Sequence, residues 1–424
     1  MINPFPYLSN GYQWLQNPYH FLDQKLKTDG LTFRKHLPIL GNVVLTGEPA
    51  LIQKIITSGE FGKGEGVGAL KSILGSHSLI MKDGKEHLKR RIIVAPNFKG
   101  KAIAEYDEAT IQYTEKIFYE LDRHKPFSIY QIIQKISLRI IVVAIFGNKE
   151  QEELQYIESL VEKFLQSFKS PLVLFFKPFQ VNLGKYSPWG KALQNRENLC
   201  SYILQEIGLN EIKKCNSILS HLLGAKEDGI PLQKEEIIGE VFALLLFGHD
   251  TGAATMSWVI AHIYQNPKIV EKLQVYVKQE YNAGSELTYL EAYIKESMRL
   301  CPVVVHLTRK ALKDTTITHY KIRKGDTVLP CTYLAHHNPA VFTEPYQFFP
   351  ERFMDGKTYE YSYFPFGLGV RTCIGKPFVM RQMKLILSVL MKHFYLQFAP
   401  NYIPKPKRHF VLILPQQGCL MVKK

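Results

Sequence analysis

The stretch Phe366-Gly367-Leu368-Gly369-Val370-Arg371-Thr372-Cys373-Ile374-Gly375 sets one cysteine among three glycines and an arginine. Over 377–393 the apolar residues recur at helical spacing, so Cys373 falls at a loop-to-helix junction. A thiol there meets the positive end of the helix dipole and unpaired N–H groups, both of which favour the thiolate. Such a thiolate can ligate a metal or act as a nucleophile. Gly369 permits a tight turn, and Gly375 lets a flat partner approach the backbone. Arg371 supplies a cation for a carboxylate. No His or Asn lies nearby in sequence to complete a cysteine-protease pair.

The string resembles the haem-binding loop of the cytochrome P450 superfamily, Phe-x-x-Gly-x-Arg-x-Cys-x-Gly, at all five specified positions. At average residue usage such a match arises by chance in roughly one chain in ten thousand, which leaves little room for an inert buried cysteine. The resemblance runs from Asn17-Pro18 to Val422, and the soluble bacterial members are the nearest in kind. It implies a mainly α fold with a small β region and a long central helix over haem b (iron protoporphyrin IX). By the same resemblance Cys373 is the proximal metal ligand, Phe366 shields its sulfur, and Arg371 partners a haem propionate. A thiolate opposite oxygen pushes electron density into the iron and favours O–O cleavage.

Further segments carry the same likeness. Gly248-His249-Asp250-Thr251 interrupts a long apolar helix with residues that are poor in helix interiors. It is similar to the family's (Ala/Gly)-Gly-x-Asp/Glu-Thr, where the helix opens; there Thr251 would hydrogen-bond bound dioxygen and Asp250 would feed protons. His249 occupies the unspecified position. Phe247 replaces the family's small residue before Gly248, and its ring there would reach over the porphyrin and shrink the pocket. His87 and Arg91 share a helix face at i and i+4 and match the family's propionate-binding helix, as Arg309 matches another propionate ligand. Glu296 and Arg299, with Arg352 of Pro350-Glu351-Arg352-Phe353, match a buried charge network behind the haem, where charges need mutual pairing. Val379 and Gln382 depart from the usual Ala and Glu.

The rest of the chain fits one catalytic unit over 1–424. Of its residues 46% are hydrophobic and 21% charged, enough apolar material for a large core. Helical periodicity dominates 97–300, with long segments over 102–124 and 132–146, and 235–265 could form a single helix roughly 45 Å long. Hairpins are expected around Leu40-Gly41 and around Arg323-Lys324-Gly325, the latter joining 315–322 to 326–330, and 410–422 reads as extended. No stretch reads as a membrane span, and the longest apolar neighbourhood, 241–263, carries His249 and Asp250. The first residues lack a signal-peptide pattern, so a cytoplasmic enzyme is the expectation. The proline-bounded 171–179 fits core packing or a surface lid in peripheral contact with lipid or an apolar substrate. Six scattered cysteines suggest neither a zinc site nor a disulfide scaffold.

A monooxygenase follows from the resemblance: one atom of O2 enters a lipophilic substrate, a fatty acid or terpenoid by the likeness of 182–190 to certain bacterial members. A peroxygenase or isomerase, or a non-catalytic haem sensor, are the alternatives. Pocket segments are expected at 61–82, 164–179, 241–247, 303–307 and 410–414. With no reductase module expected in the chain, electrons would come from a ferredoxin or flavodoxin and its reductase. The net charge of +15 fits nucleic acid, a membrane or an acidic protein, or plain solvation; no nucleic-acid motif accompanies it. A basic rim of Lys85, Lys89, Arg90, Lys376, Arg381 and Lys384 is the expected docking face for the electron carrier.

Overall fold

The computed structural model describes residues 5–38, 40–64, 70–167, 178, 180–212, 217–283, 288–317 and 319–424. The helices that position the site are α1 (Pro18–Asp29), α2 (Gly84–Val94), α3 (Ile129–Phe146), α4 (Gln151–Ser167), α5 (Pro188–Ile212), α6 (Lys234–Phe247), α7 (Asp250–Tyr264), α8 (Thr288–Leu300) and α9 (Lys376–His393). The expected single helix over 235–265 is thus two, α6 and α7. Gly248 and His249 leave helical order between them, His249 at φ −120°.

The strands are short. They are β1 (Thr32–Leu37), β2 (Gly41–Thr46), β3 (Phe61–Lys63), β4 (Arg309–Ala311), β5 (Thr315–Ile317), β6 (Tyr320–Ile322), β7 (Thr327–Pro330), β8 (Pro406–His409) and β9 (Leu412–Pro415). One five-stranded sheet has the order β1-β2-β7-β4-β3. The hairpin around Leu40-Gly41 is present, with Leu37 opposite Gly41. The second expected hairpin is corrected: β5 turns back onto β6, while β7 runs parallel to β2 and antiparallel to β4. The turn at Arg323-Lys324-Gly325 marked 326–330 as a strand, but could not show that its partner is β2, far away in sequence. The C-terminal region is likewise split. β9 pairs with β8, and Leu420–Lys423 pairs with Leu396–Phe398 and Phe127–Ser128. The span read as one helix over 102–124 breaks after Lys101–Ala104 and resumes at Asp107–Glu120.

Two helical stretches, Ile129–Phe146 and Lys234–Tyr264, are long and apolar enough to cross a membrane, contrary to the sequence reading. Most of each is packed inside the protein. Their apolar character serves the core: α3 lies along α7, and Ile133, Ile136, Ile140 and Ile141 are buried there with Val259 and Ile260. The segment 171–179, with its expected membrane contact, lies outside the described residues except for 178.

Glu296, Arg299 and Arg352 form the charge network that was expected. Arg299 clamps Glu296 through Nε (2.8 Å) and Nη2 (2.9 Å) and donates from Nη1 to the carbonyls of His336 and Pro345. Arg352 Nε reaches Glu296 at 3.2 Å, and the Phe349 N–H donates to it at 2.9 Å. Glu296 and Arg299 are fully buried, so removal of either would strand a buried charge. The network fixes the end of α8 against the irregular chain that leads into the cysteine loop.

Candidate active site

The cysteine loop closes on itself through the Cys373 N–H, which donates to the Phe366 carbonyl at 2.8 Å. Gly369 sits at φ +67°, and a Cβ there would lie 2.7 Å from Ile56 Cγ2, so the position needs glycine for conformation and for space. Gly375 directly precedes α9, with the Cys373 sulfur 3.9 Å from where its Cβ would be. Phe366 is half-buried against the core beside this loop. The expectation of an acidified thiol is only half met. Burial among neighbouring groups pushes the Cys373 thiol up, and the N–H of Gly375, the charge of Arg91 and the N–H of Lys376 pull it down by less. The residue as a whole is nevertheless exposed. A group is surrounded by protein yet bare on one side when it lines a cleft.

Around that cleft four basic side chains gather from three separate segments: His87 and Arg91 from α2, Arg309 from β4, and Arg371 from the loop. Burial, then the charges of Arg371 and Arg91, push His87 down to about 4. Burial, then Arg371, pulls Arg309 down to about 10, and burial also lowers Arg91. Among the described residues, the only carboxylate acting on His87 or Arg309 is Asp83. Burial alone would raise Asp83, but Arg371 (2.7 Å) and the N–H groups of Lys63 and Gly84 hold it down at about 2. Three guanidiniums and an imidazole against one carboxylate leave an excess of positive charge. A planar ligand with two carboxylates would neutralise it, and the haem propionates fit that description.

The broken helix faces the same region. In the run from α6 into α7 the less-buried positions are Leu244, Leu246, Phe247, Gly248, Asp250 and Thr251, of which Leu244, Phe247, Gly248 and Thr251 share one face at spacings of three and four. Phe247 is 40% exposed although the helix is a core element, so its ring borders an internal opening. Thr251 Oγ1 donates to the Phe247 carbonyl at 3.4 Å. A Cβ on Gly252 would lie 2.9 Å from Val379 Cγ2 of α9, which brings this helix over the start of α9, just beyond Cys373. Gly248 is required by packing, since a Cβ there would stand 2.5 Å from the Leu244 carbonyl oxygen and 3.0 Å from Ile141 Cγ1 of α3. His249 is buried, with Nδ1 2.9 Å from the Leu245 carbonyl, and lies apart from this face.

Asp250 is less simply placed. Its Oδ1 accepts hydrogen bonds from the Tyr130 hydroxyl and from Gln134 Nε2 (2.8 Å), both on α3. The sequence reading missed these two residues. The available signal was a polar pair at i and i+4 on a helix otherwise rich in Ile and Val.

Of the expected pocket segments, Val304, Phe410 and Val411 expose apolar side chains, and Trp258 Nε1 ties the β8–β9 hairpin to α7 through the Ile413 carbonyl at 2.9 Å. The expected basic rim is largely dismantled. Arg90 is fully buried and binds Glu227, Glu236 and Glu240; Lys89 pairs with Asp228, Arg381 with Asp107 and Lys384 with Glu291. On a short helix, residues 89 and 90 sit 100° apart, so one of two neighbouring cations can point inward. Lys85 and Lys376 remain exposed.

Known proteins match the chain over nearly its whole length. The family profile described as Cytochrome P450 matches residues 2–422. Cytochrome P450 137 of Mycobacterium tuberculosis is 27% identical over 90% of this chain and 81% of its own length. Cytochrome P450 138 of Mycobacterium bovis is 26% identical over 99% and 95%. Among solved structures, retinoic-acid-bound cyanobacterial CYP120A1 superposes with a TM-score of 0.82 at 21% identity, covering 98% of this chain and 96% of that one. The cytochrome P450DA heme domain gives 0.81 at 18% identity, covering 96% and 92%. A thiol at a glycine-shaped helix start, a cationic cradle beside it and a broken helix above it recur here with the full-length family match: the chain belongs to the cytochrome P450 family of haem-thiolate monooxygenases.

Proposed function

We propose that 1–424 acts as one catalytic unit that inserts an oxygen atom from O2 into a lipophilic substrate, with Cys373 as the haem ligand. The observation that carries this reading is the excess of positive charge from Arg91, Arg309 and Arg371, with the neutral His87 imidazole among them, beside the exposed Cys373. When bound, the haem supplies the oxygen-activating chemistry, and the protein supplies binding, orientation and protons. Cys373 holds the iron, with N–H groups of Gly375 and Lys376 directed at its sulfur. Arg91, Arg309 and Arg371, with His87, hold the propionates. Gly369 and Gly375 keep the loop narrow, and Phe366 shields the sulfur.

The Thr251 hydroxyl turns from the Phe247 carbonyl to donate into the space bounded by the helix break at Gly248, and Asp250 passes it protons. Phe247 fills part of that space, favouring a slim apolar substrate such as a fatty acid or terpenoid. That preference is in keeping with the apolar side chains of Val304, Phe410 and Val411. Electrons come from a ferredoxin or flavodoxin with its reductase, and Lys85 and Lys376 are the exposed cations left to receive it. Such charges mainly speed encounter and are screened by salt.

The test is spectroscopic first. Reduced protein under carbon monoxide should show the red-shifted Soret band of a thiolate adduct, and Cys373→Ala should lose it; an unchanged band would sink the assignment. NAD(P)H-dependent product formation with a surrogate ferredoxin system, slowed by added salt, then separates a monooxygenase from a haem sensor.

A further inference from the structure

The carboxylate of Asp250 is held by two neutral donors. Tyr130 and Gln134 stand one turn apart on α3, and both donate to the same oxygen, Oδ1. Gln134 Nε2 also lies 3.3 Å from the Tyr130 hydroxyl, so the three groups form a closed set. Among the described residues no Lys, Arg or His forms an ion pair with Asp250. Tyr130 is itself mostly buried, and its ring meets the ring of His409 edge to face at 5.7 Å. His409 lies on β8 and is exposed. The Tyr130 side chain therefore touches both the exposed His409 ring, with its own ring, and the Asp250 carboxylate, with its hydroxyl.

We propose that Tyr130, steadied by Gln134, is the relay that recharges Asp250 with protons from the His409 side. This rests on the reading of Asp250 as the acid that serves Thr251. Burial, and after it the charge of Asp250, pushes the Tyr130 phenol far above its ordinary range, so a free phenolate is excluded as an intermediate. The transfer is accordingly concerted. Water on the outer side gives a proton to the phenol oxygen as the phenol's own O–H bond breaks and its proton bonds to Asp250 Oδ1. Tyr130 begins and ends neutral, the carboxylate becomes a carboxylic acid, and bulk solvent restores the proton that the water gave up. Each passage delivers one proton.

Protonation also loosens the clamp. A carboxylate accepts hydrogen bonds about twice as strongly as a neutral acid. The charged form is thus held against α3, and the protonated form is released to turn towards Thr251. Once it has given its proton away, the restored charge draws it back to Tyr130 and Gln134. The clamp then selects the empty acid and frees the loaded one.

Tyr130→Phe keeps the ring and its contact with His409 but removes the relay. In the haem-loaded enzyme, product formation should fall roughly tenfold, less than the roughly 10²–10⁴ that a general acid itself contributes, since Asp250 remains in place. The solvent deuterium isotope effect should grow and more reducing equivalents should appear as hydrogen peroxide, with haem content and the carbon monoxide band unchanged. In protein without haem, the infrared carboxylate band that Asp250→Asn removes should shift on Tyr130→Phe. Gln134→Leu leaves the phenol in place and should move the same readings in the same direction by a smaller factor. Wild-type isotope effect, coupling and carboxylate band in both α3 variants, with Asp250→Asn impaired, would overturn the relay. Wild-type turnover in Asp250→Asn would instead overturn the reading of Asp250 on which it rests.

Discussion

At the scale of single residues, Phe247 stands where the resemblance calls for a small residue. Its ring borders the opening at the helix break, and 40% of the residue is exposed there. Phe247→Ala should remove most of that bulk and admit broader azoles and substrates, read as new spin-state shifts in a ligand panel. An unchanged ligand range would place the ring outside the substrate space. The residue was legible in sequence because the family's small residue occurs at a fixed offset from Gly248. Cys373, Arg371 and the paired His87 and Arg91 were legible for the same reason: each sits in a short string whose spacing serves one piece of chemistry. Arg90 was misread. Adjacent in sequence to Arg91 and Lys89, it turns inward to three carboxylates, and those carboxylates lie some 137 to 150 residues away.

At the scale of elements, the fit of α7 against α9 explains a pair of residues together. Val379 stands where the family usually has Ala, and Gly252 faces it, with space for a Cβ only 2.9 Å from Val379 Cγ2. Gly252→Ala should therefore destabilise the fold by about 1–3 kcal/mol through overpacking, despite the helix preference for Ala of about 1 kcal/mol. Val379→Ala should remove the obstacle. In the double variant the penalty should vanish and the helix preference show, giving a coupling of at least about 1 kcal/mol in a urea-unfolding cycle. Additive effects would mean that α7 and α9 shift apart freely. The break between α6 and α7 could be read from Gly248, Asp250 and Thr251, all poor helix formers. That Gly248 also admits Ile141 of α3 could not, since nothing local to either residue records the other.

At the scale of the whole molecule, the Arg90 cluster joins α2, the segment around Leu79, the hairpin at Lys226–Glu227 and Ile230–Pro231, and α6. Glu240 accepts from Arg90 Nη1 (3.2 Å) and from the Leu79 N–H (2.7 Å). Burial outweighs these bonds and raises its carboxyl to about 7, from an ordinary value of 4.5, with Lys82 also opposing the rise. The folded protein thus holds a proton on Glu240 that the unfolded chain gives up at lower pH. The resulting stability is complete below about pH 4.5 and is lost as pH rises through about 7, roughly 3 kcal/mol in all. Relative to wild type, Glu240→Gln should gain stability across that window, because it stays neutral at every pH. A constant difference between the two from pH 4.5 to 8 would show that Glu240 keeps its charge state on folding. By itself, the sequence determined the thiolate loop, the basic residues beside it, the Glu296–Arg299 pair and the helix break, because each depends on residues within a few positions of one another. Only the tertiary structure decided that Asp250 is held by Tyr130 and Gln134, that Arg90 is buried, and that β7 pairs with β2. Helical or strand spacing fixes which residues share a face, but the partner of that face is set by how distant parts of the chain pack.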